Sequence, residues 1–94
     1  MDARVDARVD ASPMARDLRI EVKGRGRVDT DQPGVSCDGP ADCHFDVVVG
    51  TVVELTPIDG EDSFHRWRNA CEGQGVVCTV TVMSDTHAKA EFEP

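Results

Sequence analysis

The sequence predicts a small, mainly β domain of about six short strands, and three observations support this prediction. Apolar and polar residues alternate in several runs, which is the pattern of strands that bury one face. The runs recur at intervals of roughly ten residues and are separated by clusters rich in Gly, Pro and Asp, as in a β sandwich, barrel or curled sheet. No segment has the periodicity of a convincing amphipathic helix.

Two strands are predicted near the start of this domain. In DLRIEVK, the apolar Leu18, Ile20 and Val22 alternate with charged residues, which indicates a half-buried strand. A tight GRG turn follows, and RVDT continues as a short strand around Val28. The next residues, DQPGVSC, have the composition of a loop.

In the middle of the chain, the sequence predicts one clear strand and one ambiguous segment. FDVVV is an apolar patch, and TVVEL is a strand with Val53 and Leu55 on one face. PIDGED is predicted as a turn cluster. In SFHRW, Phe64 and Trp67 lie three residues apart, which fits neither period, so this segment is either a bulged strand or one helical turn.

Residues 78–92, CTVTVMSDTHAKAEF, predict a closing β hairpin. Apolar residues alternate with more polar ones on both sides of the turn residues Ser84 and Asp85, so the hairpin has one apolar face. The residues on that face are Cys78, Val80, Val82, Ala88, Ala90 and Phe92.

The charge balance excludes several classes of partner. The chain has 94 residues, enough for one domain, with 10 basic and 18 acidic residues and a formal net charge of −8. Nucleic-acid-binding domains normally present a basic face, and anionic membranes repel an acidic chain, so neither partner is expected. No apolar run approaches the ~18 residues of a transmembrane helix, and the sequence as given lacks the apolar core of a signal peptide.

Four cysteines fall into two close pairs. Cys37 and Cys43 flank one short loop, and Cys71 and Cys78 flank another. Of the three connectivities, we favour the two local disulfides, each of which contributes roughly 2 kcal/mol in the chain-entropy model. Disulfides imply an oxidising compartment, which is the periplasm, the cell surface or the medium.

A metal site is the rival interpretation of these cysteines, because His44, His65 and His87 are available as further ligands. Zinc sites usually space two cysteines by two to four residues. The intervals here, CDGPADC and CEGQGVVC, are longer. We therefore predict disulfides and no bound metal, with free thiols as the remaining alternative.

The first sixteen residues predict a disordered tether. DARV occurs twice and is followed by DA, and Val is the only sizeable apolar residue of the repeat. Such a segment buries too little surface to offset the entropy lost on ordering. A helix is the alternative, but Ser12-Pro13 would end it. We divide the chain into a tether, residues 1–16, and a β domain, residues 17–94.

From residue 18 to residue 92, the order of the motifs resembles the divergent branch of the internalin B-repeat (InlB B-repeat). These motifs are a glycine-rich turn, Pro-Gly, two cysteines before a Phe, GTVVEL, FHRW, ACEG, CTVT and a closing Phe. Asn69 stands where the family usually has Gly, and Asn tolerates a left-handed backbone next best. The matching positions are Val28, Pro33, Gly34, Cys37, Cys43, Phe45, Gly50, Thr51, Val53, Leu55, Phe64, Trp67, Ala70, Cys71, Gly73, Cys78 and Phe92.

This resemblance implies a β-grasp-like or related compact β fold in a secreted or surface-anchored bacterial protein. It also implies roles in adhesion, spacing and protein contact rather than in chemistry. The Asp/Ala-rich repeat resembles the spacers of some bacterial surface lipoproteins. We therefore expect an extracellular, cell-surface, periplasmic or outer-membrane-anchored location and a monomer that contacts a protein or a glycan.

Trp67, the only tryptophan, is the first candidate binding residue. When exposed, it would offer a platform for a glycan or a protein; when buried, it would pack beside a disulfide, as the small size of the domain favours. Arg66 and Arg68, with Arg25 and Arg27, are candidates for a small basic patch. The alternative is that these arginines keep the exposed strand faces hydrated.

Two further motifs resemble chemical sites only in part. Ser63 and His65 lie two apart and share a strand face, but a hydrolase also needs a pocket, an oxyanion hole and an oriented base. DTDQPG and IDGED space carboxylates as calcium loops do, but the EF-hand pattern is missing. We therefore predict no enzyme activity, catalytic residue or cofactor.

The predicted function is that of a non-catalytic extracellular module, a spacer or protein-interaction domain of a bacterial secreted protein or lipoprotein. The alternative is an adhesin domain that binds a carbohydrate or a protein through Trp67. A small secreted toxin or inhibitor is a third hypothesis.

Overall fold

The structure is a computed structural model that describes residues 14–94, and it confirms a mainly β domain. Residues 1–13, most of the predicted tether, lie outside the described residues, and the first strand begins at Ala15 rather than near Asp17. Residues 14–94 contain eight strands, against about six predicted: β1 Ala15–Lys23, β2 Gly26–Thr30, β3 Ser36–Asp38, β4 Ala41–Val48, β5 Thr51–Asp59, β6 Ser63–Asn69, β7 Cys78–Val82 and β8 Thr86–Glu93.

The strands form two four-stranded sheets that face each other. Sheet A has the order β4-β1-β8-β6, and sheet B has the order β3-β2-β5-β7. Within sheet A, β1 is antiparallel to β4 but parallel to β8, and β8 is antiparallel to β6. All neighbours in sheet B are antiparallel. The fold is therefore a small β sandwich whose first and last described strands are parallel neighbours.

The core lies between the sheets and is built from the predicted alternating positions. Leu18 and Ile20 of β1 and Val53 and Leu55 of β5 belong to one core cluster, and all four side chains are fully buried. Removing a side chain of this kind from water contributes roughly 1.5–3 kcal/mol. The ring of Phe92 packs against Gly26, which leaves no room for a Cβ where the chain crosses from β1 to β2.

The predicted closing hairpin is wrong, although its apolar face is correct. Strand β7 pairs with β5 in sheet B, whereas β8 pairs with β1 and β6 in sheet A. Residues 83–85 therefore carry the chain from one sheet to the other. Alternation shows which side chains are buried, but it does not show which strand lies beside which.

The turn predicted at residues 57–62 is also shorter than expected, because β5 continues to Asp59. Pro57 lies inside this strand, and the hydrogen-bonding pattern explains why it is tolerated. Asp31 N–H donates to the Glu54 carbonyl on the β2 side, so the odd-numbered residues of β5 direct their backbone groups toward β7. The pairing with β7 ends at Leu55, so the missing N–H of Pro57 costs no bond between strands.

The ambiguous SFHRW segment is a bulged strand. Its register against β8 shifts between Phe64 and Arg66, so Phe64 and Trp67 both reach the interior side despite their spacing of three. Asn69 ends the strand with φ 63°, the left-handed conformation for which Asn is suited.

Both predicted local disulfides are confirmed, and each links the two sheets. Cys37 of β3 bonds Cys43 of β4, and Cys71 after β6 bonds Cys78 of β7, with Cα–Cα distances of 6.0 and 5.6 Å. Each pair thus fixes a connection that passes between sheets. Structural disulfides of this kind are typical of proteins outside the cytoplasm. A helix with the length and hydropathy of a membrane span is absent from residues 14–94.

Candidate functional surfaces

Trp67 is a core residue and not an exposed platform. Its side chain points inward from β6, opposite the small Ala90 of β8, and the residue is only 4% exposed. Its ring centroid lies 5.3 Å from that of Phe64, which in turn contacts Phe92 edge-on at 5.7 Å. A ring enclosed in this way offers no stacking face to a glycan.

The indole of Trp67 also holds the loop between β6 and β7. Trp67 Nε1 donates a hydrogen bond to the Val76 carbonyl at 2.8 Å, inside the loop that the Cys71–Cys78 disulfide closes. The buried N–H therefore has a partner, as a buried tryptophan requires. Packing and hydrogen bonding together explain why the single tryptophan occupies this position.

Arg66 and Arg68 form ion pairs with Glu91 on the outer side of sheet A. Arg66 Nε donates to Glu91 Oε1 at 2.7 Å, and Arg68 Nε lies 3.5 Å from Glu91 Oε2. Glu91 is only 7% exposed. The hydrogen bond from Arg66 lowers the pKa of Glu91, burial opposes this shift, and the positive charge of Arg68 adds to it. The two arginines therefore share one carboxylate, which offsets part of their charge and holds both guanidinium groups against β8.

Arg25 and Arg27 are likewise engaged, in a different part of the molecule. Arg25 pairs with Glu61 at 2.9 Å, and its backbone N–H donates to the buried Asp62 carboxylate at 2.8 Å. These contacts join the β1–β2 turn to the β5–β6 turn. Arg27 Nε lies 2.9 Å from Asp29 on the same strand. The four arginines thus do not combine into one surface.

The outer face of sheet A carries ion pairs across all four strands. On the β4–β1 side, Arg19 Nε and Nη2 donate to the two oxygens of Asp42 at 2.8 and 2.7 Å. This hydrogen-bonded guanidinium lowers the pKa of the Asp42 carboxyl. His44 Nδ1 lies 3.0 Å from Asp17 Oδ2, and its Nε2 lies 3.7 Å from Asp42 Oδ1.

Glu21 extends this arrangement toward β8. Its carboxylate lies 3.0 Å from His87 Nε2, 3.8 Å from Lys89 Nζ and 3.8 Å from Arg19 Nη2. Lys89 Nζ in turn lies 4.0 Å from Glu91 Oε2. We call this connected set the sheet A network; its members are Asp17, Arg19, Glu21, Asp42, His44, Arg66, Arg68, His87, Lys89 and Glu91.

The histidines are paired with carboxylates rather than gathered with cysteines. His44 and His87 belong to the sheet A network, and His65 Nδ1 lies 3.7 Å from Glu93. The structure thus gives His65 an acidic neighbour on β8 instead of a contact with Ser63. In residues 14–94, no group of three or more His, Cys, Asp or Glu residues is arranged to hold a metal ion.

Carboxylates of the two calcium-like stretches accept backbone hydrogen bonds, one from a neighbouring strand and one within its own turn. Asp31 Oδ1 accepts a hydrogen bond from Glu54 N–H at 3.1 Å, and Asp59 Oδ1 accepts one from Phe64 N–H at 2.9 Å. Thr30 Oγ1 bonds the backbone of Gln32 and Val35 within the same loop. These oxygens point at backbone N–H groups, not at a shared centre.

The outer face of sheet B is different in composition, and the sequence did not single it out. Strand β7 forms one edge of this sheet and has no charged residue in its sequence, CTVTV. Several apolar side chains are exposed beside it. They are Val52, Val76, Val77 and Met83.

The Gln74 side chain lies against this edge. Gln74 Nε2 donates to the Thr79 carbonyl at 3.0 Å, and Thr79 N–H donates to Gln74 Oε1 at 2.9 Å. One side-chain amide therefore satisfies both backbone groups of one edge residue. The missing charge in CTVTV was visible in the sequence, but the contact with Gln74 depends on how the loop folds back.

Comparisons of this chain with protein-family models, curated proteins and solved structures found no match.

Proposed function

We propose that this chain is a non-catalytic extracellular module that acts as a spacer in a bacterial secreted or surface-anchored protein of the InlB B-repeat kind. The direction of its first and last described strands supports this role. Because β1 and β8 are parallel neighbours, the chain enters the sandwich at one end and leaves it at the other. At about 3.3 Å per residue, the nine residues of β1 span roughly 30 Å.

The same pair of strands lies in the path of a force applied to the two ends of the domain. Residues from Leu18 to Lys23 are in register with residues from Thr86 to Glu91. Pulling the two strands in opposite directions shears this pair lengthwise, so its hydrogen bonds are loaded together rather than one after another. Strand β1 is also held by β4, and β8 by β6, on their other sides. This arrangement suits a domain that keeps its length under load.

The disulfides support a spacer role in a second way. Each one links sheet A to sheet B, so the sheets remain connected where the chain passes between them. A domain of this size gains from such links because its core alone supplies little stability. A location outside the cytoplasm follows from the disulfides, and surface attachment is part of the proposal.

The adhesin alternative loses its candidate residue, because Trp67 is enclosed by Phe64 and by its hydrogen bond to Val76. Protein contact remains within the proposal, through surfaces other than Trp67.

Single-molecule extension of the described domain, held at its two ends, tests the spacer role. We expect one abrupt rupture, followed by an extension that the closed disulfide loops keep roughly 35 Å shorter than that of the reduced chain. The shortening arises because residues 37–43 and 71–78 cannot lengthen while their cysteines are bonded. Gradual extension at low force in the oxidised protein would contradict the spacer role.

A further inference from the structure

We propose that the free edge of β7 is a strand-pairing surface whose occupant is β7 of a second copy of this chain. In this arrangement the two copies pair antiparallel about a two-fold axis, and the Gln74 amide holds the place of the partner until pairing occurs. This inference is independent of the spacer role.

The four sheet edges of the described domain are not protected equally. Strand β3 has only three residues and includes Asp38, and β4 presents Asp42, His44 and Asp46. Strand β6 carries a bulge together with charged side chains. Short length, charge and bulges are the devices by which proteins prevent edge-to-edge pairing. Strand β7 has five regularly paired residues and none of these devices.

The contact with Gln74 shows that this edge accepts an amide in the manner of a neighbouring strand. In an antiparallel pair, each hydrogen-bonded residue exchanges one N–H···O and one O···H–N bond with its partner. Thr79 makes this exchange with the Gln74 side chain, at 2.9 and 3.0 Å. The side-chain amide thus substitutes for one peptide group of an added strand.

Thr81 is a second residue of β7 whose backbone groups point to the free edge. Val82 directs its carbonyl toward the β5 side, where it accepts a hydrogen bond from Gly50 N–H at 2.8 Å. Backbone groups alternate in direction along a strand, so Thr79 and Thr81 both face the free edge. The Thr81 carbonyl accepts a hydrogen bond from Met83 N–H at 3.1 Å, a local contact that an added strand would replace.

These two positions define a self-complementary register. If Val80 lies opposite Val80 of the second copy, then Thr79 lies opposite the second copy's Thr81, and Thr81 opposite its Thr79. Both threonine pairs become hydrogen-bonded pairs, and they also form the Thr–Thr side-chain contacts that stabilise sheets. Sheet B then continues through the two-fold axis.

The composition of the chain favours a second copy as the occupant. Strand β7 is the only strand among residues 14–94 without a charged residue, so its best match within this protein is itself. The exposed Val76, Val77 and Met83 flank the strand and would be partly covered by pairing. The net charge of −8 on each copy opposes association, so pairing should strengthen with salt.

The test is sedimentation equilibrium of the oxidised protein over micromolar to millimolar concentrations. The variant Gln74→Ala removes the competing amide and should lower the dimer dissociation constant by about tenfold, because two hydrogen bonds no longer have to be broken. Adding Thr81→Lys to that variant places a charge on the edge and should restore the monomer. Val52→Lys is the matched control, since Val52 is exposed on the same sheet but not on the edge strand.

Hydrogen exchange identifies the surface used. Thr81 N–H should become protected as the dimer forms, whereas Thr79 N–H should be protected in both states of the wild-type protein. The proposal is overturned if Gln74→Ala stays monomeric over the whole range, or if Thr81→Lys leaves association unchanged. Binding of an uncharged extended peptide to a chain that stays monomeric would also overturn it, because the occupant would then be another protein. None of these outcomes affects the extension experiment, which is made on single molecules.

Discussion

The two sheets of the sandwich differ in how their exposed residues prevent pairing with strands of other molecules. Sheet A has three charged or histidine-bearing positions on most of its strands, and they connect into one network from Asp17 to Arg68. In sheet B, the outward positions of β7 are the uncharged Thr79 and Thr81, with Val52 exposed beside them. A charged face stays hydrated and rejects added strands, whereas an uncharged edge depends on a single Gln side chain. The comparison separates the charged strands from the one uncharged edge strand of the described domain, β7.

The largest expected loss of stability comes from removing the disulfides that connect the two sheets. Cys71→Ala with Cys78→Ala should lower the free energy of unfolding by about 2–5 kcal/mol. Cys37→Ala with Cys43→Ala should cost less, because Cys43 is partly exposed while Cys71 and Cys78 are fully buried. Urea unfolding of the two double variants measures both changes in the free energy of unfolding. An unchanged midpoint for the first variant would contradict the structural role of its disulfide.

An intermediate loss of stability is expected from substituting Glu91, the buried member of the sheet A network. The pKa of Glu91 is lowered in the folded state from the ordinary value of 4.5. The contribution of Glu91 to folding stability is therefore fully present above pH 4.5 and is lost as the pH falls through the folded pKa. Glu91→Gln should therefore lower stability by about 1 kcal/mol near neutral pH and flatten the loss of stability below roughly pH 4.5. Thermal unfolding from pH 7 to pH 2 measures both effects.

Glu93→Gln is the matched control for this prediction, because Glu93 lies on the same strand but is exposed. It should leave the unfolding curve and its pH dependence nearly unchanged. Equal effects of the two substitutions would mean that Glu91 is not the centre of the network.

The smallest expected effect separates the surface ion pairs of the two sheets. Arg19 is bidentate to Asp42 on the neighbouring strand, whereas Arg27 pairs with Asp29 on its own strand. Arg19→Gln should therefore lower the melting temperature more than Arg27→Gln, and the difference should shrink in high salt. Calorimetry at low and high ionic strength measures the two melting temperatures. Equal shifts would show that the Arg19–Asp42 pair, at the exposed end of the sheet A network, adds no stability.

Local patterns were sufficient to predict which side chains are buried. The alternation around Leu18 and Val53 identified the core faces, and the spacing of the cysteines identified both disulfides. The partners of each strand were not predictable in this way. Cys78 and Ala88 lie close in sequence but in different sheets, because a short link crosses the sandwich as easily as it closes a hairpin.

The candidate surfaces depend on this long-range information, and most of them were therefore missed. Asp17 and His44 are 27 residues apart, and Glu21 and His87 are 66 apart, so no local motif contains them. Arg66 and Arg68 were identified as surface residues, but their common partner, Glu91, becomes visible only when β6 is placed beside β8. The Gln74 contact depends on a loop conformation that the sequence does not specify.

The most direct test of the spacer role compares two directions of pulling on the same oxidised domain. Handles at the two ends of the domain shear β1 against β8, whereas handles at the exposed Lys23 and Glu93 lie at the same end of this pair and peel it apart. We predict a higher rupture force for the first geometry, because its hydrogen bonds break together. Equal rupture forces in the two geometries would contradict the spacer role.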